Sequence, residues 1–136
     1  MGTQHLADGE LSVLKALWHL GPSPVRDVRD RLRDRGHDLA YNTVQTVLSR
    51  LVGKELVSCD KSETPHVFRA LVSRERFRRD RVRELVTKVY DGAAGAMALQ
   101  AVRHGRLSAD EIDALQQMLG DLAREQKSKK GRRQAP

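Results

Sequence analysis

The hydrophobic period of this chain changes from helical to strand-like at residue 56, and that change restricts the fold more than any other feature. Up to Lys54 the apolar residues recur about every 3.6 positions, the spacing of a helix with one buried face. Gly9 to Leu20 carries Leu11, Leu14, Leu17 and Trp18, with Asp8 placed to cap its start and Gly21-Pro22-Ser23-Pro24 to end it. Pro24 suits the first turn of a second helix, Val25 to Arg35, with Ser23 as candidate N-cap and Gly36 as the stop. Its stripe is Val25, Val28 and Leu32, while its other faces alternate Arg and Asp. A third helix is predicted from about Asn42 to Lys54, with Val44, Val47, Leu48 and Leu51 at i, i+3, i+4 and i+7. Leu56 to Cys59 and His66 to Leu71 then read as two short strands, joined by a polar turn holding Ser62, Glu63, Thr64 and Pro65. Three short helices followed by a hairpin is the order of a winged helix-turn-helix. The expected class is therefore mostly α with a small β-hairpin.

Beyond the hairpin the helical period returns. Ser73 can cap a long helix from about Arg74 to Tyr90 that buries Val82, Leu85, Val86 and Val89, and Asp91-Gly92 interrupts it. A small-residue helix, Ala93 to Arg103, follows, and Gly105 closes it. Ser108-Ala109-Asp110-Glu111 has the form of a capping box, in which the Ser hydroxyl and the Glu carboxylate each satisfy one free backbone N–H. The final helix aligns Ile112, Leu115, Met118, Leu119 and Leu122 on one face. After about Gln126 the chain is polar and basic without a period, and disorder is expected. So small a head cannot bury both of these last stripes, and a second copy of the chain is the economical partner. The expected organisation is a winged helix over 1–72, a helical dimerisation region over 73–126 and a disordered basic tail over 127–136.

Charge adds a partner class. The chain of 136 residues carries a net charge of +7, and the last ten residues alone hold Lys127, Lys129, Lys130, Arg132 and Arg133 with no acid. A polyanion is the natural partner of such a chain, and nucleic acid is the usual one. The tail would add counterion release on DNA without needing to order, or serve solubility alone. Cys59 is the single cysteine, so no internal disulfide can form and a reducing compartment is expected. No apolar stretch approaches a membrane span, and Met1 to His5 is too polar to open a signal peptide.

The third helix carries the chemistry. With Val44, Val47, Leu48 and Leu51 turned inward, Asn42, Gln45, Thr46, Ser49 and Arg50 face away, and the whole stretch from Leu39 to Lys54 lacks an acid. Amides pair with adenine edges, Arg with guanine or phosphate, and Thr offers a hydroxyl or a methyl to thymine. A carboxylate there would repel phosphate, whereas an ordinary solvated face pairs Glu with Lys. Lys61 near the hairpin tip and Arg69 on its return strand are candidate phosphate contacts. Tyr41 either touches the sugar-phosphate backbone or packs on the second helix. Cys59 and His66 could face each other across the hairpin, but two ligands do not close a metal site, and the remaining histidines are scattered. No metal or cofactor is expected. No phosphate-binding glycine loop, zinc pair or nucleophile elbow occurs, so an enzyme is not expected either. Two other classes remain open: a winged helix that binds protein, and a one-component DNA-binding sensor responding to a ligand or to oxidation.

The stretch 40–51, Ala-Tyr-Asn-Thr-Val-Gln-Thr-Val-Leu-Ser-Arg-Leu, resembles the recognition-helix signature of the penicillinase-repressor family (BlaI/MecI type). The likeness extends to the helix at 10–21 with Leu17-Trp18, the start of the second helix at 23–28, Lys54 to Val57, Val72 to Glu75, and Leu107 to Glu111. It thus covers about residues 6–125 in order. The resemblance implies a homodimeric transcriptional repressor of the bacterial cytoplasm that binds a palindromic double-stranded DNA operator. By matching positions it makes Thr43 and Thr46 base or methyl contacts and Arg50 a phosphate or base-edge contact; Asn42 stands where relatives often have a second Thr. The best-known relatives are inactivated by a regulatory protease system that cleaves an Asn-Phe bond. Gln100-Ala101 stand at that place here, so the likeness does not extend to that bond. Nor does it extend to the copper-responsive branch, whose cysteine-rich terminus is replaced by Lys and Arg.

Overall fold

The structure is a computed structural model that describes residues 6–134, with the side chains of 132–134 left aside. The N-terminal Met1 to His5, read above as unlike a signal peptide, and the last two residues of the expected tail lie outside the described residues. Six helices and one hairpin follow in order: α1 (Asp8–Leu20), α2 (Val25–Asp34), α3 (Tyr41–Gly53), β1 (Val57–Asp60), β2 (Val67–Ala70), α4 (Arg74–Lys88), α5 (Ala94–His104) and α6 (Ala109–Gln134). The expected mostly-α winged helix is the fold found. The chain divides into two units, one through Asp91 and the other from Gly92.

The first unit is built around one core. Val13, Leu14 and Leu17 of α1 meet Val28 and Leu32 of α2 and Val44, Leu48 and Leu51 of α3, all of them buried. These are the i, i+3, i+4 stripes of three short helices, none of which would hold its shape in water without that shared burial. Val57 and Phe68 close the core from the hairpin. The chain leaves α3 through Glu55 at φ +63°, where its N–H donates to Val52 O and the Leu56 N–H donates to Leu51 O. That left-handed exit reverses the backbone into β1 and satisfies carbonyls at the helix end.

The hairpin is antiparallel, with Val57 opposite Ala70, Ser58 opposite Arg69, Cys59 opposite Phe68 and Asp60 opposite Val67. Ser23 adds a bridge on its open edge: its N–H donates to Phe68 O at 2.9 Å, and the Phe68 N–H donates to Ser23 O at 2.8 Å. Ser23 therefore does not cap α2. It is buried as an edge partner of the wing, its hydroxyl donates to Gly21 O, and Pro24 occupies the N-cap. Asp8 likewise lies inside α1 as its first residue, where its charge favours the helix dipole, and Ala7 is the N-cap. Cys59 and His66 do not face each other, because the register sets Cys59 against Phe68.

Ser73 caps α4 as expected, accepting the Arg76 N–H at 3.1 Å. The burial expected along α4 is not found among the described residues. Phe77 is its single buried residue, while Val82, Leu85 and Val89 are exposed and Val86 half-buried. Phe77 packs on the Trp18 ring at 5.4 Å between centroids, and Trp18 Nε1 donates to Val72 O at 2.8 Å. Those contacts place α4 with the winged helix, and the division between the two units falls after Asp91, where Asp91 and Gly92 both take positive φ.

In the second unit the capping box forms. Ser108 N–H donates to Glu111 Oε1 at 3.0 Å, and Glu111 N–H donates to Ser108 Oγ at 3.1 Å. The stretch from 127 expected to be disordered is helical instead, since α6 continues to Gln134. Its Lys, Arg and Gln are good helix formers, and a helix already nucleated extends at little cost through such residues. Among the described residues of this unit none is buried, and Ile112, Leu115, Met118, Leu119 and Leu122 are exposed along α6.

Candidate nucleic-acid interface

α3 presents two chemically opposite faces. At about 100° per residue, Asn42, Thr43, Gln45, Thr46, Ser49 and Arg50 fall within an arc of roughly 160°. All six are exposed, whereas Val44, Val47, Leu48 and Leu51 on the other side are buried. The structure thus brings together six of the α3 residues singled out from the sequence, with Tyr41 outside that arc. Thr46 Oγ1 donates to Asn42 O at 2.9 Å, one turn back. With its hydroxyl engaged on its own helix, Thr46 offers its methyl outward. The first turn of α3 contains no acid, and Ala40 at the N-cap supplies no side-chain acceptor for the first N–H groups. Those groups, together with the positive end of the dipole, suit an anion.

Tyr41 is exposed at the first position of α3, and the Arg29 guanidinium of α2 lies 6.0 Å from its ring centroid. Both readings of Tyr41 therefore meet at one place, the joint between α2 and α3. Arg29 went unnoticed in the sequence because it sits in the regular Arg/Asp alternation of α2; the signal would have been its position on the stripe side, next to Val28.

Lys54 ends the acid-free stretch but faces inward. Its Nζ donates to Glu10 Oε2 at 2.6 Å, and the Glu10 side chain is only 8% exposed. That pair ties the end of α3 to α1. Glu10 gave no sign of burial in the sequence, because one Glu in a helix usually faces solvent.

On the wing, Lys61 and Arg69 are both exposed, Lys61 just past β1 and Arg69 within β2. Asp60 lies beside them. The Ser62 hydroxyl and N–H donate to its carboxylate at 2.6 and 2.9 Å. These donors, with weaker help from Arg69 and His66, hold it below the ordinary aspartate range. The wing therefore carries a fixed negative charge among its cations. Among the described residues no cluster of His, Cys, Asp and Glu could hold a metal, and no helix is long and apolar enough to cross a membrane.

Comparison with known proteins gives a consistent result. The sequence profile described as "Penicillinase repressor" matches residues 6–121. The transcriptional regulator BlaI of Mycobacterium tuberculosis is 34% identical over 118 residues, covering 86% of this chain and 84% of that protein. The penicillinase repressor of Bacillus licheniformis is 25% identical over 114 residues, covering 84% and 88%. A MecI methicillin resistance regulatory protein of Mammaliicoccus sciuri is 22% identical over 117 residues, covering 86% and 94%.

Proposed function

The chain belongs to the penicillinase-repressor family of transcriptional regulators, and from that premise we propose that it is a homodimeric cytoplasmic repressor that reads a palindromic operator with α3. The observation that carries this reading is the outer face of α3: six exposed polar residues, no acid, on a helix whose opposite face is locked into the core. In the major groove Asn42 and Gln45 would meet adenine edges, Arg50 guanine or phosphate, and the Thr43 and Thr46 methyls thymine. Tyr41, Ser49, Lys61 and Arg69 would fix register on the sugar-phosphate backbone.

The exposed apolar faces support the dimer. Among the described residues Val82 and Leu85 on α4, Val89 just past its end and the Ile112 to Leu122 stripe on α6 are exposed, and Val86 is half-buried. The second unit, in which no described residue is buried, cannot offset the entropy of its own ordering. A twofold pairing through these faces would set two copies of α3 about one helical turn of DNA apart.

Fluorescence anisotropy tests the reading, with the duplex upstream of the protein's own gene against a scrambled duplex of equal length, each at low and raised salt. Saturable binding to the native duplex that keeps its preference as salt rises is the expected result. Equal binding to both, vanishing together with salt, would reduce the interaction to charge alone.

A further inference from the structure

An open groove of about 610 Å³ lies between α1, the C-terminal end of α2 and the start of α4, wholly within the first unit. No residue of α3, β1 or β2 lines it, so it is separate from the surface proposed to read DNA. Lys15, Arg31, Arg35, Arg74 and Arg78 surround it, with His19 and His37 beside them, and neither Asp nor Glu lines it. Among the described residues none of those five cations forms an ion pair. The apolar part is aromatic: Trp18 and Phe77 lie against each other there, and the Arg74 guanidinium sits 5.9 Å from the Trp18 ring centroid.

Five like charges converging on one concavity repel each other and concentrate counter-anions. A bare inorganic anion would answer the charge but leave the exposed part of the Trp18 indole in water. A neutral aromatic would cover the indole but leave the charge unanswered. The volume is that of a small-molecule site. We propose that this groove binds a small organic anion with an aromatic or similarly flat apolar body, the ring against the half-buried Trp18 and the carboxylate among the arginines. This goes beyond the reading of DNA by α3 and does not depend on it.

Trp18 is the single tryptophan of the chain, so its emission reports the groove directly. The full-length protein, without DNA, would be titrated with benzoate, with its neutral isostere benzamide and with inorganic phosphate. Trp18 emission and titration calorimetry would be read together. Saturable quenching by benzoate, little response to benzamide, and at least about a tenfold loss of benzoate affinity in the Arg35→Gln/Arg78→Gln variant are expected. Both side chains are exposed, so an unchanged circular dichroism spectrum should accompany that loss. Equal responses to benzoate and benzamide would overturn the proposal, as would full displacement of benzoate by equimolar phosphate. An emission change on dilution with no response to benzoate would overturn it too, by showing that a second copy of the chain covers the groove.

Discussion

Replacing Phe77 with alanine should separate α4 from the winged helix and cost more than any other single change in that helix. Phe77 is 7% exposed, packed against Trp18 at 5.4 Å and under the Arg81 guanidinium at 5.1 Å. A buried phenyl side chain removes at least about 150 Å² of surface from water, which at about 25 cal/mol per Å² is close to 4 kcal/mol. The alanine methyl recovers under about 1 kcal/mol of this, and losing the ring pair adds up to about 1 kcal/mol. The expected loss is therefore about 3–4 kcal/mol, in the range seen for emptied aromatic sites. Urea unfolding followed by circular dichroism, at one fixed protein concentration, measures it. Leu85→Ala at the same concentration gives the comparison, since Leu85 is 42% exposed within the chain. A Phe77→Ala loss below about 1 kcal/mol would refute the packing argument, since no well-filled aromatic site is so cheaply emptied.

Three further outcomes follow from the same geometry. Because the Thr46 hydroxyl is engaged by Asn42 O, Thr46→Val should keep operator affinity better than Thr46→Ser, as anisotropy titrations of the two variants would show. Leu119→Asp, on the exposed α6 stripe, should turn a sedimenting dimer into a folded monomer; an unchanged sedimentation coefficient would remove α6 from the interface. Glu111 is held below the ordinary glutamate range, first by the Ser108 N–H and then by its hydroxyl. A carboxylate lowered in the folded state contributes fully above its unfolded value and loses that contribution as pH falls through the lowered one. Helical circular dichroism should therefore fall in that acid window in the parent protein, and by less in Glu111→Gln, whose side chain does not titrate.

Much of the winged helix was legible in the sequence because its signals are local and mutually consistent. The stripes of α2 and α3 bury the residues their period implies, and that of α1 buries Leu14 and Leu17, with Leu11 and Trp18 half-buried. The N-cap at Ser73 and the capping box at Ser108 depend on residues three positions apart. What escaped depends on distant partners. Ser23 looks like an N-cap to its neighbours, but its backbone is claimed by Phe68, 45 positions on. Glu10 looks like a surface acid until Lys54 arrives from the end of α3. Val82, Leu85 and Val89 carry a sound burial pattern, but among the described residues they are exposed. The candidate site was legible for a related reason: the outer face of α3 is one short helix, so its chemistry can be read without knowing the rest. The basic groove draws on α1, α2 and α4 together, and no stretch of sequence announces it.

The central claim is that α3 reads DNA sequence, and one comparison tests it most directly. The native and scrambled duplexes would be titrated with the parent protein, with Arg50→Gln on α3 and with Lys61→Gln on the wing. A sequence-reading α3 predicts that Arg50→Gln weakens the native duplex by at least about tenfold, the discrimination of one good base contact. Binding of that variant to the scrambled duplex should change little, and Lys61→Gln should weaken both duplexes alike. If Arg50→Gln lowers affinity for the two duplexes equally, Arg50 serves only phosphate. If it changes neither, with the variant still folded, α3 does not enter the groove.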